Sequence, residues 1–295
     1  MSTSLLDADF LRRLEALKRQ LSAEARSGET GESAAPRRGS GAEFREHRPY
    51  VPGDDPRRID WMAYARSGEP LIKLFHNEED RIVRLLVDAS ASLGFGTPSK
   101  LELAQRVAAA LGYLALSSSE RTQVFVARNA ETSALSAVGS SHRGRRAFGE
   151  LCRELSGLQP VGKAELARAV EGTLTRSLRP GLLAVLSDFF DAGSVLEALS
   201  RARAAGHDVL LVQILSDEEL NPQLDGDFAL EDAETGAVVE IAADASAVTA
   251  YLARLADLFE SLRGWARKHG ATYIRATTNT ELEPVIRKAL ARSID

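Results

Sequence analysis

The sequence predicts an α/β protein: a doubly wound, mostly parallel sheet of Rossmann type, preceded by an N-terminal arm and carrying a β-hairpin insertion. Three observations lead there. Residues 82–88, 182–188 and 209–215 are short, nearly continuous apolar runs, as expected of strands covered on both faces. Amphipathic helical periods lie between them. The connections are long enough to act as crossovers, which makes neighbouring strands parallel.

Taken in order, Leu6, Phe10, Leu14, Leu17 and Leu21 recur at helical spacing. The pattern is too short for a coiled-coil seam and reads as a helix docked on its own domain. Residues 23–41 hold no apolar side chain larger than alanine, the composition of a mobile linker. Residues 1–41 are thus read as helix and linker, 42–78 as a segment packing on the body, and 79–295 as the body. On this reading, removing residues 1–40 leaves a folded protein.

In the body, Ser99-x-x-Glu102 is a capping box opening a helix with Leu103, Val107, Leu111 and Leu114 inward. A strand follows at 122–128 and an antiparallel edge strand at 134–138. Helices are expected at 145–155, 165–178 and 195–205. Residues 217–244 contain ten acidic residues and no Lys or Arg. Within them Phe228 and Leu230, then Val239 and Ile241, flank Glu234-Thr235-Gly236 as a hairpin. Val248, Leu252, Leu255, Phe259, Leu262 and Ala266 mark a long helix that Gly270 stops, before a strand at 272–275 and a helix at 284–292.

Composition narrows the function. With 37 basic and 42 acidic residues the net charge is −5, so no global basic field draws the chain to nucleic acid or an anionic membrane. One cysteine, Cys152, excludes an internal disulfide framework and a Cys-rich zinc site. It sits in a helical apolar setting that favours a buried, inert thiol. The five histidines show no i, i+4 pair, so a zinc-hydrolase site has no support. There is no basic leader and no membrane-length apolar run, and the expected location is the cytoplasm. Residues 157–164 fall one hydroxyl short of a phosphate-binding loop and follow a helix where a strand is required.

In open parallel sheets the site lies beyond the carboxyl ends of the strands. The first buried strand ends in Asp88-Ala-Ser90-Ala-Ser92 and the second in Ser187-Asp188. Two carboxylates and several hydroxyls are hard oxygen donors of the kind Mg²⁺ accepts. Asp88, Ser90, Ser92 and Asp188 are therefore the candidate metal ligands.

This pattern resembles the metal-ion-dependent adhesion site of von Willebrand factor A domains. A more specific resemblance precedes it. Glu43, Phe44, Arg48, Tyr50, Gly53, Asp54, Asp55, Arg57, Asp60, Trp61 and Arg66, as spaced here, resemble the signature of the bacterial domain-of-unknown-function family 58. Members of that family join this signature to a von Willebrand factor A-like domain. The resemblance implies a non-enzymatic adaptor that works with a MoxR-type AAA+ ATPase and binds its partner at the crevice. It also implies Mg²⁺, with one departure. The adhesion-site pattern expects Thr where this chain has Ala164, next to Lys163, so the metal is expected to be weak or absent. A partner carboxylate would then complete the metal shell or meet Lys163 instead. If the crevice is not the interface, the acidic hairpin at 225–240 is the candidate.

The signature also reads physically. Pro52-Gly53 suits a type II turn, and Asp55-Pro56 an N-cap with proline at the first position of a short helix carrying Ile59 and Trp61. Arg57, Arg58 and Asp60 would face outward or into a polar joint, and Phe44, Tyr50, Ile59 and Trp61 would cover apolar surface. Two rivals remain open at this point: a metal-dependent hydrolase using Asp88 and Asp188, for which no general base is assignable, and a scaffold with a dead metal site.

Overall fold

The computed structural model describes residues 7–28, 43–51, 54–56, 59–76, 81–130, 133–176, 179–222, 226–231, 233, 237–243 and 245–290. Two units form: Glu24–Arg81, and Met1–Ala23 together with Ile82–Asp295. The elements in order are α1 (Ala8–Gly28), β1 (Glu43–Pro49), α2 (Trp61–Ser67), β2 (Leu71–His76), β3 (Ile82–Asp88), α3 (Lys100–Ser117), β4 (Arg121–Ala130) and β5 (Ser133–Arg143). There follow α4 (Phe148–Ser156), α5 (Leu166–Arg176), β6 (Leu182–Ser187), α6 (Ala192–Ala204), β7 (Asp208–Leu215) and α7 (Asp217–Leu220). The hairpin β8 (Gly226–Glu231) and β9 (Val238–Ala243), then α8 (Ala245–His269), β10 (Thr272–Thr277) and α9 (Leu282–Leu290), complete the chain.

The central sheet has the order β10-β7-β6-β3-β4-β5, parallel except for the antiparallel edge strand β5. From β3 the chain moves outward through β4 and β5, then returns to the other side for β6, β7 and β10. The direction of winding reverses between β3 and β6. Alternation along each strand divides the core between the two faces. Val83, Leu85, Val87, Ala184, Leu186 and Val212 pack with α1, α3, α4 and α9. Leu86, Leu183, Val185, Val209 and Leu211 pack with α5, α6 and α8. At Gly181 a Cβ would lie 2.3 Å from the Ile82 carbonyl oxygen, so glycine is what lets β6 begin beside β3.

The first helix docks on the body, and it does more than cover it. Phe10, Leu14 and Leu17 are buried within the same core as α3 and α9. Arg145 reaches Glu15 at 3.2 Å, and Arg287 reaches Gln20 at 3.0 Å. Removing residues 1–40, which is expected to leave a folded protein, would also take these three side chains out of the core. The helix continues to Gly28, and the rest of the expected linker lies outside the described residues.

The unit at 24–81 is a two-stranded antiparallel ribbon, β1 with β2, with α2 in its connection. Pro56, where a short helix is expected to open, lies in a 3₁₀ turn, and the α-helix α2 begins only at Trp61. Asp60, not Asp55, is the N-cap, its carboxylate accepting from the Met62 and Ala63 amides at 3.0 and 3.1 Å. Asp60 is also buried. Ile59 stays outside the helix and bridges Ile72. Trp61 is 63% exposed, contrary to the expectation of a covered side chain, and meets Tyr64 edge to face.

Candidate functional site

The winding reverses between β3 and β6, and at this switch point a doubly wound sheet opens a crevice at its carboxyl edge. Val87 pairs with Leu186, which sets Asp88 level with Ser187 and brings both strand-end aspartates to the same edge. The structure gathers the four candidate ligands there. Asp88 Oδ1 accepts from the Ser90 amide at 2.9 Å, and its Oδ2 accepts from the Ser187 hydroxyl at 2.6 Å. The Ser90 and Ser92 hydroxyls are 3.0 Å apart, and Ser92 donates to Asp188 Oδ2 at 2.9 Å. The Phe190 amide donates to Asp188 Oδ1 at 3.3 Å. The network is continuous from Ser187 to Phe190, and all four carboxylate oxygens already accept a hydrogen bond. Burial, reinforced by the negative charge of Asp188, pushes the Asp88 carboxyl up to about 6 against the pull of its Ser187 and Ser90 hydrogen bonds.

A fifth group completes the cluster, and the sequence reasoning missed it. Lys100, the first residue of α3, is wholly buried. Its ammonium donates to Asp188 Oδ2 at 2.8 Å and to Glu219 Oε1 at 2.6 Å. It also lies 5.1 Å from the centre of the Phe190 ring. Glu219 is itself held. Its other oxygen accepts from the Ser216 amide at 2.8 Å while the Ser216 hydroxyl accepts from the Glu219 amide at 3.1 Å, a complete capping box on α7. The Tyr251 hydroxyl donates to the Glu219 carbonyl at 3.0 Å. Burial, with the charges of Glu219 and Asp188, pushes that phenol up to about 12. Behind Asp188, Gln213 donates to its backbone carbonyl at 2.9 Å and accepts from the Tyr273 hydroxyl at 2.6 Å. Phe189 sits at φ 58°, a left-handed turn that buries its own ring and leaves Phe190 at the surface.

Whether this cluster suits Mg²⁺ can be judged from its donors. An ion held by Asp188 Oδ2 at its usual ~2.1 Å could lie no farther than about 5 Å from the Lys100 nitrogen. A +2 ion and an ammonium at that distance repel by roughly 7 kcal/mol at an effective dielectric of 20. Ala164 supplies no hydroxyl at the position where the adhesion-site pattern expects Thr. The residues present do not fit a divalent cation while Lys100 is in place.

The cation expected beside the crevice, Lys163, is exposed. Its loop runs alongside the site, with Val161 donating to the Ala89 carbonyl at 2.9 Å and Gly162 accepting from the Ala91 amide at 2.7 Å. The buried ammonium belongs to Lys100. Around the polar cluster, three exposed apolar side chains come from three loops: Phe95, Val161 and Phe190. Gly94 in the first loop packs on Pro160 in the second, and the Phe95 carbonyl accepts from the Lys100 amide at 3.0 Å.

The signature residues that are described form local structure of their own. Arg48 donates to both carboxylate oxygens of Asp54 at 2.8 and 2.9 Å, and Asp54 also accepts from the Val51 amide. Tyr50 bonds the Pro70 carbonyl through its amide, and Arg66 donates to the Met62 carbonyl. Glu43 and Phe44 fall in β1, opposite His76 and Phe75, and Asp55 is exposed before α2. Gly53, its partner Pro52, Arg57 and Arg58 lie outside the described residues, as does the turn Glu234-Thr235-Gly236 between β8 and β9. The hairpin itself forms, with Phe228 opposite Ile241 and Leu230 opposite Val239.

Comparison with known proteins adds the following. Residues 46–258 match the family model "Protein of unknown function DUF58". The uncharacterized protein Rv1480 of Mycobacterium tuberculosis is 32% identical over 235 residues, covering 77% of this chain and 73% of the relative. The uncharacterized protein Mb1516 of Mycobacterium bovis matches to the same extent. Among solved structures, the conserved hypothetical protein BatB of Bacteroides thetaiotaomicron is similar with a TM-score of 0.47 and 15% identity, over 73% of this chain and all of that one. The chain belongs to the DUF58 family.

Proposed function

We propose that this chain is a non-enzymatic protein-binding module of von Willebrand factor A type, and that it captures its partner at the carboxyl edge of the sheet. The observation that carries this reading is the pairing of a polar cluster whose groups bond one another with an exposed apolar rim of Phe95, Val161 and Phe190. Aromatic side chains standing in solvent around a crevice are the usual anchors of protein interfaces. A hydrolase needs a general base within reach of a reacting atom. Of the three histidines whose side chains are described, none is bonded to the crevice cluster. His142 pairs with Glu154, His207 lies against Arg84 at the start of β7, and His269 stacks on Trp265.

The partner proposed from the family resemblance is a MoxR-type AAA+ ATPase, which makes the chain an adaptor for that motor. The test is binding of a purified MoxR-type ATPase from the same organism to the wild-type chain, Phe190→Ser and Phe95→Ser, with circular dichroism to confirm the fold. The expected result is binding that weakens at least about tenfold in each variant, as for truncated interface anchors. Undiminished binding moves the interface to the acidic hairpin at 225–240, and no binding by the wild type rejects this partner.

A further inference from the structure

We infer that Lys100 is the built-in cation of this crevice: its ammonium stands where a divalent ion would be held, and the chain needs no metal there. The inference concerns the ion alone and does not depend on which partner the crevice binds.

Lys100 opens α3, where the helix end is electropositive and a cation is disfavoured. Lysine is also among the side chains least often buried completely, yet this one has no exposure. Both penalties are offset by what surrounds the ammonium. Asp188 and Glu219 each accept from it, and the face of Phe190 takes up its third side.

The acceptors are preorganised around the ammonium. Glu219 is fixed by the capping box of α7, and Asp188 by Ser92, the Phe190 amide and the bond from Gln213 to its carbonyl. Glu219 has no place in the Asp-x-Ser-x-Ser pattern. It is an additional acid on a different element, and its carboxylate oxygens face the ammonium and its own N-cap amide.

A metal with an open coordination position recruits a partner's carboxylate, but a wholly buried ammonium already shared by two carboxylates offers none. The crevice therefore lacks the electrophilic ion that acidic ligands need.

The test uses the full chain and Mn²⁺, whose free ion is counted by electron paramagnetic resonance. The wild type is expected to leave the free Mn²⁺ signal undiminished, and its Tm is expected to agree within about 1 °C between EDTA and millimolar MgCl₂. Lys100→Ala and Lys100→Ser, which vacate the position, are expected to lose on the order of 10 °C of Tm in EDTA. In millimolar Mn²⁺ they should regain part of that loss and deplete the free-ion signal. Wild-type uptake of Mn²⁺ with a Kd below about 100 µM overturns the inference. So do variants that fold and stay as blind to metal as the wild type. Should both variants fail to fold in EDTA, refolding in Mn²⁺ decides: recovery of the fold supports the inference, and failure there as well overturns it.

Discussion

Lys100 Nζ and Asp188 Oδ2 lie 2.8 Å apart, with side chains 0% and 6% exposed, so the strand-end aspartate is neutralised from within the chain. Taking two charges out of water is expensive, and such a pair is tolerated only where further hydrogen bonds satisfy both groups. Here Ser92 and the Phe190 amide do this for Asp188, and Glu219 does it for Lys100. Breaking the pair from one side should be far worse than removing both partners. Lys100→Met alone is expected to destabilise by roughly 3–5 kcal/mol. A double-mutant cycle with Asp188→Asn should return a coupling of about 1–3 kcal/mol, measured by urea denaturation. Additive effects would show that the two groups do not share their charge.

The carboxyl of Asp88, raised to about 6 by burial and by Asp188, gives the stability a pH signature. Between the unfolded carboxyl's ordinary value near 3.8 and about 6, the folded chain holds a proton that the unfolded chain has released. The contribution of this group is therefore fully present below that lower value and is lost as pH rises through about 6. Asp88→Asn removes the titration and keeps a polar group for Ser90 and Ser187. Relative to the wild type, the variant should gain stability from pH 4 to pH 7, by about 2 kcal/mol, and then level off. Denaturation midpoints across that range check it. A bound divalent ion would hold the carboxylate ionised and abolish this pH dependence.

Cys152 is buried, and burial pushes its thiol up to about 12. Since only the thiolate is nucleophilic, native protein should react with a disulfide reagent orders of magnitude more slowly than the unfolded chain at pH 8. A stopped-flow trace with and without denaturant measures this. Rapid native labelling would place the thiol in an opening the structure does not show.

The sequence reading and the structure agree most closely where one local pattern is enough. Continuous apolar runs located β3, β6 and β7, and Ser99 caps α3 through the Glu102 amide as its spacing predicts. The edge strand β5 and the hairpin of β8 and β9 were also visible as alternation. Asp88, Ser90, Ser92 and Asp188 could be grouped because their place at strand ends is a local fact and the fold supplies the rest. Lys100 could not, because a lysine at a helix start reads as a solvated side chain. The signal available was the helix behind it: Leu101, Leu103, Ala104 and Val107–Gly112 are buried on nearly all sides, which drives the first turn of α3 deep into the carboxyl edge. Glu219 was hidden in the same way, inside an acidic run whose charges looked uniformly exposed. The ribbon of β1 and β2 went unread because its strands pair across the twenty-one residues from Tyr50 to Pro70, a separation no local window spans.

Burial of Phe10, Leu14 and Leu17 sets the expectation for the first helix. Each such side chain contributes roughly 1.5–3 kcal/mol, so deleting residues 1–28 should lower stability by about 5 kcal/mol or more. Leu14→Ala is the milder version, at about 2–5 kcal/mol. Calorimetry of both checks it. An unchanged melting temperature after the deletion would mean that α1 is detached in solution.

The central claim is that an ammonium, and not a metal, fills the crevice between β3 and β6. The most direct measurement is a crystal structure grown in millimolar MnCl₂, with anomalous data collected at the manganese edge. The expected result is Lys100 Nζ within hydrogen-bonding distance of Asp188 and Glu219, and no anomalous peak among Asp88, Ser90, Ser92 and Asp188. A manganese peak bound by those four side chains, with the lysine turned away, would contradict it.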